Sequence, residues 1–136
     1  MITSNEVVLL VGGSAVIAWL LWSNRSRVPI TQAGAAVESG HAVLIDVREP
    51  AEWATGMAAR AHGLPLSDLR IARERWQPFL EAHRGRRLFL YCQSGARSGL
   101  AAALLRREGF DAVNVGSFHA WRRAGWAVAT PPSTDG

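Results

Sequence analysis

Two stretches, AVLIDVR at 42–48 and RRLFLYC at 86–92, restrict the fold more than any other feature of the chain. Each is a continuous apolar run bounded by charged or polar residues. Neither shows the alternating polar positions of a strand with one wet face. Runs of this kind form strands covered on both faces, as in parallel sheets flanked by helices. The intervening sequence agrees. TQAGAAVES (31–39) reads as a helix stopped by Gly40, and a short helix is expected over 49–54 with Pro50 in its first turn. ARAHGLPL (59–66) reads as a second extended segment. Ser67 or Asp68 should cap the helical stretch that follows, and Pro78 should break it ahead of 79–83. A helix over 98–108 ends at Gly109, DAVNV (111–115) is a last strand, and SFHAWRRA (117–124) is a last helix ended by Gly125. The expected class is α/β, with a central, mainly parallel sheet flanked by helices.

Sites in such sheets form outside the carboxyl ends of the strands. Three groups fall on that edge: Asp46 and Arg48, the loop from Cys92 to Arg97, and Gly116 with Ser117. The loop, YCQSGARSG (91–99), holds the single cysteine of the chain. One cysteine excludes an internal disulfide, a CxxC zinc site and a CxxC redox pair. Its setting is that of a reactive thiol. Unpaired amides at a helix start favour the thiolate. Gly95, flanked by Ser94 and Ala96, lets successive amides converge on an anion, and Arg97 adds a fixed charge at the rim. The result is a cradle for a thiolate and for a negatively charged adduct on it.

The other polar residues carry less. Asp46 and Arg48 should pair and support the loop. His41, His62, His83 and His119 lack metal-ligand spacing, and Trp53, Trp76, Trp121 and Trp126 read as packing residues, with Phe118 near the pocket mouth. The 15 basic residues, all of them Arg, outnumber 11 acidic ones, but they are scattered. No basic stripe with interleaved aromatics is present, so nucleic acid is not an expected partner.

The N-terminal end is of a different kind. Val7 to Trp22 contains no charge. As a helix it would be about 24 Å long, close to the hydrocarbon thickness of a bilayer. Trp19 and Trp22 sit where an aromatic belt belongs, and Arg25 and Arg27 follow. A cleaved signal would carry its positive residues ahead of the run. Residues 1–27 are therefore expected to be a transmembrane anchor and short linker, 28–130 the folded domain, and 131–136 a disordered tail. The charge order implies a single-pass protein of the cell (inner) membrane, N-terminus out and domain cytoplasmic. Gly12, Gly13, Ser14 and Ala18 would allow two anchors to approach closely, a basis for weak self-association.

The domain resembles the rhodanese family of sulfurtransferases over about residues 30–128. LIDVREPAEWATG (44–56) is similar to the family's first signature, YCQSGARS (91–98) to its active-site loop, and GSFHAWRRAGWAV (116–128) to its closing segment. Three departures stand out: Met57 in place of a histidine, Gly116-Ser117 in place of two glycines, and Gln93 where thiosulfate-specific members often carry a cation.

The resemblance implies a two-step transfer. Cys92 would take a sulfane sulfur from a small donor such as thiosulfate or a persulfide, becoming a persulfide itself. Gln93, Ser94, Gly95, Ala96 and Arg97 would bind substrate and stabilise the charge, with Asp46, Arg48 and Ser98 in support. An external thiol, on a small molecule or a partner protein, would take the sulfur. No metal or organic cofactor is required. Two other readings use the same residues. A cysteine phosphatase or arsenate reductase would want one more residue between Cys92 and Arg97. A noncatalytic binding module would not need the cysteine.

Overall fold

The computed structural model describes residues 15–17 and 28–130. Residues 15–17 are helical and exposed; the rest of the span expected over 7–22, the linker through residue 27 and the tail from 131 lie outside the described residues. Among the described residues, no helix is long and apolar enough to cross a membrane.

The elements run α1 (Ile30–Glu38), β1 (Ala42–Asp46), α2 (Pro50–Trp53), β2 (Met57–Ala58), β3 (His62–Gly63), α3 (Leu66–Arg70), α4 (Trp76–Ala82), β4 (Arg87–Cys92), α5 (Ala96–Arg107), β5 (Ala112–Ser117), α6 (Phe118–Arg123) and β6 (Val128–Ala129). A four-stranded sheet has the order β3-β1-β4-β5, with every pair parallel. All five residues of β1, and Leu88 to Cys92 of β4, are buried, as the unbroken apolar runs require.

Successive residues of β4 point to opposite faces. Leu88, Leu90 and Cys92 join a core with Leu66 and Leu69 of α3, Trp76 and Leu80 of α4, and Ala101, Ala102 and Leu105 of α5. Phe89 and Tyr91 join a second core with Ala33 and Val37 of α1 and Phe118 and Trp121 of α6. The last two residues of the central strand thus serve different layers. Cys92 faces the α5 side, and Tyr91 stacks beneath Phe118 and Trp121 at centroid distances of 5.9 and 6.5 Å.

Several local expectations are corrected. The extended segment over 59–66 forms only the two-residue β3, and a separate antiparallel pair, β2 with β6, crosses from Met57–Ala58 to Val128–Ala129. Ser67 and Asp68 do not cap α3; both lie inside it, behind Pro65. Asp68 instead accepts from the amides of Glu74, Arg75 and Trp76, so it organises the turn into α4. Pro78 does not break a helix. It sits in the first turn of α4, where its fixed φ suits the helix start. α5 begins at Ala96, two residues earlier than expected, because Gly95 forms its cap.

Candidate active site

The sheet edge determines the site. Cys92 ends β4, Gly95 adopts a left-handed backbone with φ of 95°, and α5 starts at once. A side chain at Gly95 would be strained at that φ, and its Cβ would lie 3.5 Å from the backbone of Gly116. Glycine therefore allows the loop to turn while resting against the end of β5. The turn brings the Gly95 N–H to 3.0 Å from the Cys92 sulfur. The Ser98 hydroxyl, one helical turn on, lies 3.4 Å from the same sulfur.

Cys92 is fully buried. Burial is the largest single influence on the thiol and pushes its pKa up. The Ser98 hydroxyl and the amides of Ser98, Gly95 and Ser94 oppose it, and together they hold the thiol below its ordinary value. The cradle stabilises negative charge on a sulfur that water barely reaches.

Asn114 organises this cradle. Its Nδ2 donates to the Gly95 carbonyl at 3.0 Å, and its Oδ1 accepts from the Ser98 hydroxyl at 2.8 Å and from the Gly116 amide at 3.0 Å. A register shift opposite Leu90 and Tyr91 sets Asn114 beside Leu90 and Gly116 beside Tyr91. The Ser98 hydroxyl has one proton and two acceptors, Asn114 and the sulfur.

Arg97 faces the turn after β1. Its two terminal nitrogens donate to both carboxylate oxygens of Glu52, at 2.5 and 2.9 Å. The hydrogen bond to Glu52 is the main reason its pKa is raised, with burial opposing. The same bonds hold the Glu52 carboxyl down to about 2. Glu52 also accepts from the Glu49 amide at 3.1 Å, in a capping box at the start of α2.

On the opposite face of the sheet end lies a second, buried network. Arg48 donates to Asp46 through Nε and through Nη2, the latter at 2.8 Å, and reaches the Gly56 carbonyl at 2.7 Å. Tyr91 donates to Asp46 at 2.6 Å and accepts from the Ala58 amide at 2.9 Å. Burial, then the Asp46 charge, raise the Tyr91 pKa. The Arg48 guanidinium lies 4.5 Å from the centre of the Phe118 ring. Its contact with the loop is a 3.4 Å hydrogen bond to the Gln93 side chain.

The family model of the rhodanese-like domain matches residues 30–124. The chain belongs to the rhodanese-like family. Among relatives of this rhodanese-like chain, a sulfurtransferase of Allochromatium vinosum is 37% identical over 91 residues, covering 65% of this chain and 79% of that protein. An uncharacterized protein of Bacillus subtilis, YqhL, is 32% identical over 123 residues, covering 87% and 93%. A human single-domain sulfurtransferase, TSTD1, superposes with a TM-score of 0.59 at 28% identity, over 71% of this chain and 95% of that one.

The rhodanese-like fold brings Ser94, Gly95 and Ser98 around the Cys92 sulfur, while the Ala96 amide faces the Ser94 hydroxyl at 3.4 Å. It places Arg97 at the rim on Glu52, and Asp46 and Arg48 behind the sheet end, joined to the loop through Gln93. Phe118, expected near the pocket mouth, is buried over Arg48. The sequence alone does not single out Glu52, Tyr91 or Asn114. Asn114 carries a signal all the same: it is the one polar residue within the apolar AVNV.

Proposed function

We propose that this chain is a sulfurtransferase that carries sulfane sulfur as a persulfide on Cys92. The observation that supports this reading best is the pair of donors on a buried sulfur: the Gly95 amide at 3.0 Å and the Ser98 hydroxyl at 3.4 Å. The Cys92 thiolate attacks the outer sulfur of a donor. A new S–S bond forms and the donor's S–S bond breaks. The leaving group departs with the electron pair, as sulfite from thiosulfate or as a thiolate from a persulfide. The negative charge now on the outer sulfur is met by the amides of the 93–97 loop. An external thiolate, or cyanide in the test tube, then attacks the outer sulfur and releases the Cys92 thiolate. With no second cysteine in the chain, the persulfide has no internal resolving partner. Asp46, Arg48 and Ser98 hold the loop and touch no donor.

The uncharged run over 7–22 supports a further part of the reading. It is a membrane anchor, with Arg25 and Arg27 on the cytoplasmic side and the domain beside them. Anchoring would raise the effective concentration of donors or protein acceptors at the membrane surface.

Mass measurement after exposure to a sulfane donor tests the central statement. Wild type is expected to gain one sulfur atom, to keep it when no acceptor is present, and to lose it on addition of thiol or cyanide. Cys92→Ser should gain nothing while keeping its melting temperature. Turnover retained in Cys92→Ser would remove the persulfide from the mechanism. A phosphate adduct in place of sulfur would favour the phosphatase reading.

A further inference from the structure

We propose that Glu52 sets the donor preference of this site: it keeps Arg97 in a closed ion pair, and so turns the loop away from dianionic donors such as thiosulfate and toward persulfides of thiols. The inference rests on the sulfurtransferase reading and deepens it.

An arginine beside a thiolate is a ready receptor for an anionic donor, provided its guanidinium is free. Here it is not. Both terminal nitrogens of Arg97 donate to the two oxygens of Glu52, so the edge that would grip an anion in a bidentate way is engaged. The carboxylate is fixed from behind by the Glu49 amide. Glu49 adds a second negative group at this rim; its carboxylate accepts from Ser67 at 3.0 Å and acts on Arg97 through its charge. Two carboxylates against one guanidinium leave this side of the mouth net negative.

No other cation of the loop compensates. Gln93, directly after the cysteine, is neutral, and its side-chain oxygen is turned to Arg48. Arg48 is itself neutralised by Asp46, in a pair whose side chains are 2% and 0% exposed. A donor therefore meets backbone amides and the Ser98 hydroxyl at the sulfur and a net negative rim beside it. Thiosulfate brings two charges to that place. A persulfide brings at most one at the sulfur it transfers, and its organic part can lie outside the rim.

The test compares kcat/KM for thiosulfate and for glutathione persulfide in the full chain, with cyanide as acceptor. Glu52→Gln frees the Arg97 fork. The thiosulfate-to-persulfide ratio should rise about ten-fold, as expected for one added charge-assisted hydrogen bond, and the change should lie in the KM for thiosulfate. In Glu52→Gln/Arg97→Ala the rise should vanish. Arg97→Ala alone, in a chain where Glu52 already withholds the arginine, should leave the ratio within about two-fold of wild type whatever it does to both rates. A ratio unmoved in a folded Glu52→Gln protein, or a selective loss of thiosulfate use in Arg97→Ala, would overturn the inference while leaving sulfur transfer in place. If neither donor loads Cys92 in wild type, it is the sulfurtransferase reading that fails.

Discussion

Two arginine–carboxylate pairs flank the Cys92 loop, and they differ in how much water they see. Arg48 and Asp46 have side chains 2% and 0% exposed, whereas Arg97 and Glu52 are 36% and 33% exposed. Both are multidentate, but Arg97 and Glu52 join the end of β4 to the turn after β1 directly, whereas Arg48 and Asp46, two residues apart, reach β4 through Tyr91. Burial gives them different tasks. A buried ion pair is costly to assemble and still costlier to break, because removing one partner leaves a charge without water. Arg48 and Asp46 therefore belong to the architecture: together with Tyr91 they tie β1, β4 and the strand at Ala58 into one unit. A pair exposed by a third contributes little to stability. Arg97 and Glu52 can be altered without unfolding the domain, which leaves that position open to tune selectivity.

Breaking the buried pair should have the largest effect. Asp46→Ala strands the Arg48 guanidinium and the Tyr91 hydroxyl in a dry environment. The expected loss is about 3–5 kcal/mol, a fall in melting temperature of roughly 10 °C or more for a domain of this size. A melt lowered by only a degree or two would place the two pairs in the same class. Tyr91→Phe should come next. It removes one donor to Asp46 and leaves the Ala58 amide without its acceptor, at a cost of about 1–3 kcal/mol. Hydrogen exchange should accelerate at Ala58 more than in the middle of β4. Uniform acceleration across the sheet would mean that Tyr91 acts through ring packing under Phe118 and Trp121 instead.

The same contrast explains which parts of the molecule are legible in the sequence. β1 and β4 are readable because burial on both faces leaves an unbroken apolar run, and the Cys92 loop because its glycine and its cysteine each have few other uses at a strand end. Asp46 and Arg48 can be read as a supporting pair because they close such a run. The partner of Arg97 is not readable in this way. Glu52 lies 45 residues earlier in the chain, on a four-residue helix, and only the parallel pairing of β1 with β4 brings the two together. Tyr91 is hidden by its aromatic ring, which reads as core and is core, while its hydroxyl serves Asp46. Pro78 misleads because the same residue that breaks a helix interior also suits a first turn. Local pattern does not say which of these positions it occupies. The β2–β6 pair escapes for a related reason: two-residue strands carry no period.

Acid should separate the pairs with the smallest effect of all. The Glu52 carboxyl titrates at about 2 in the folded chain against an ordinary value of 4.5, chiefly because Arg97 donates to it. A depressed carboxyl stabilises the fold only while the folded state holds fewer protons than the unfolded one. Its contribution is thus present in full above about 4.5 and disappears as the pH falls toward about 2. Since both side chains are about one-third exposed, solvent screening limits that contribution to less than about 1 kcal/mol. Wild type should melt slightly above Glu52→Gln near neutral pH, and the gap should close on acidification. Salt should close it as well, because ions screen an exposed pair and scarcely reach a buried one. The gap between wild type and Asp46→Ala at neutral pH should, by contrast, survive added salt. If the Glu52→Gln gap persists in high salt and in acid, the rim pair is not exchanging with water, and the division between an architectural pair and an adjustable one would have to be given up.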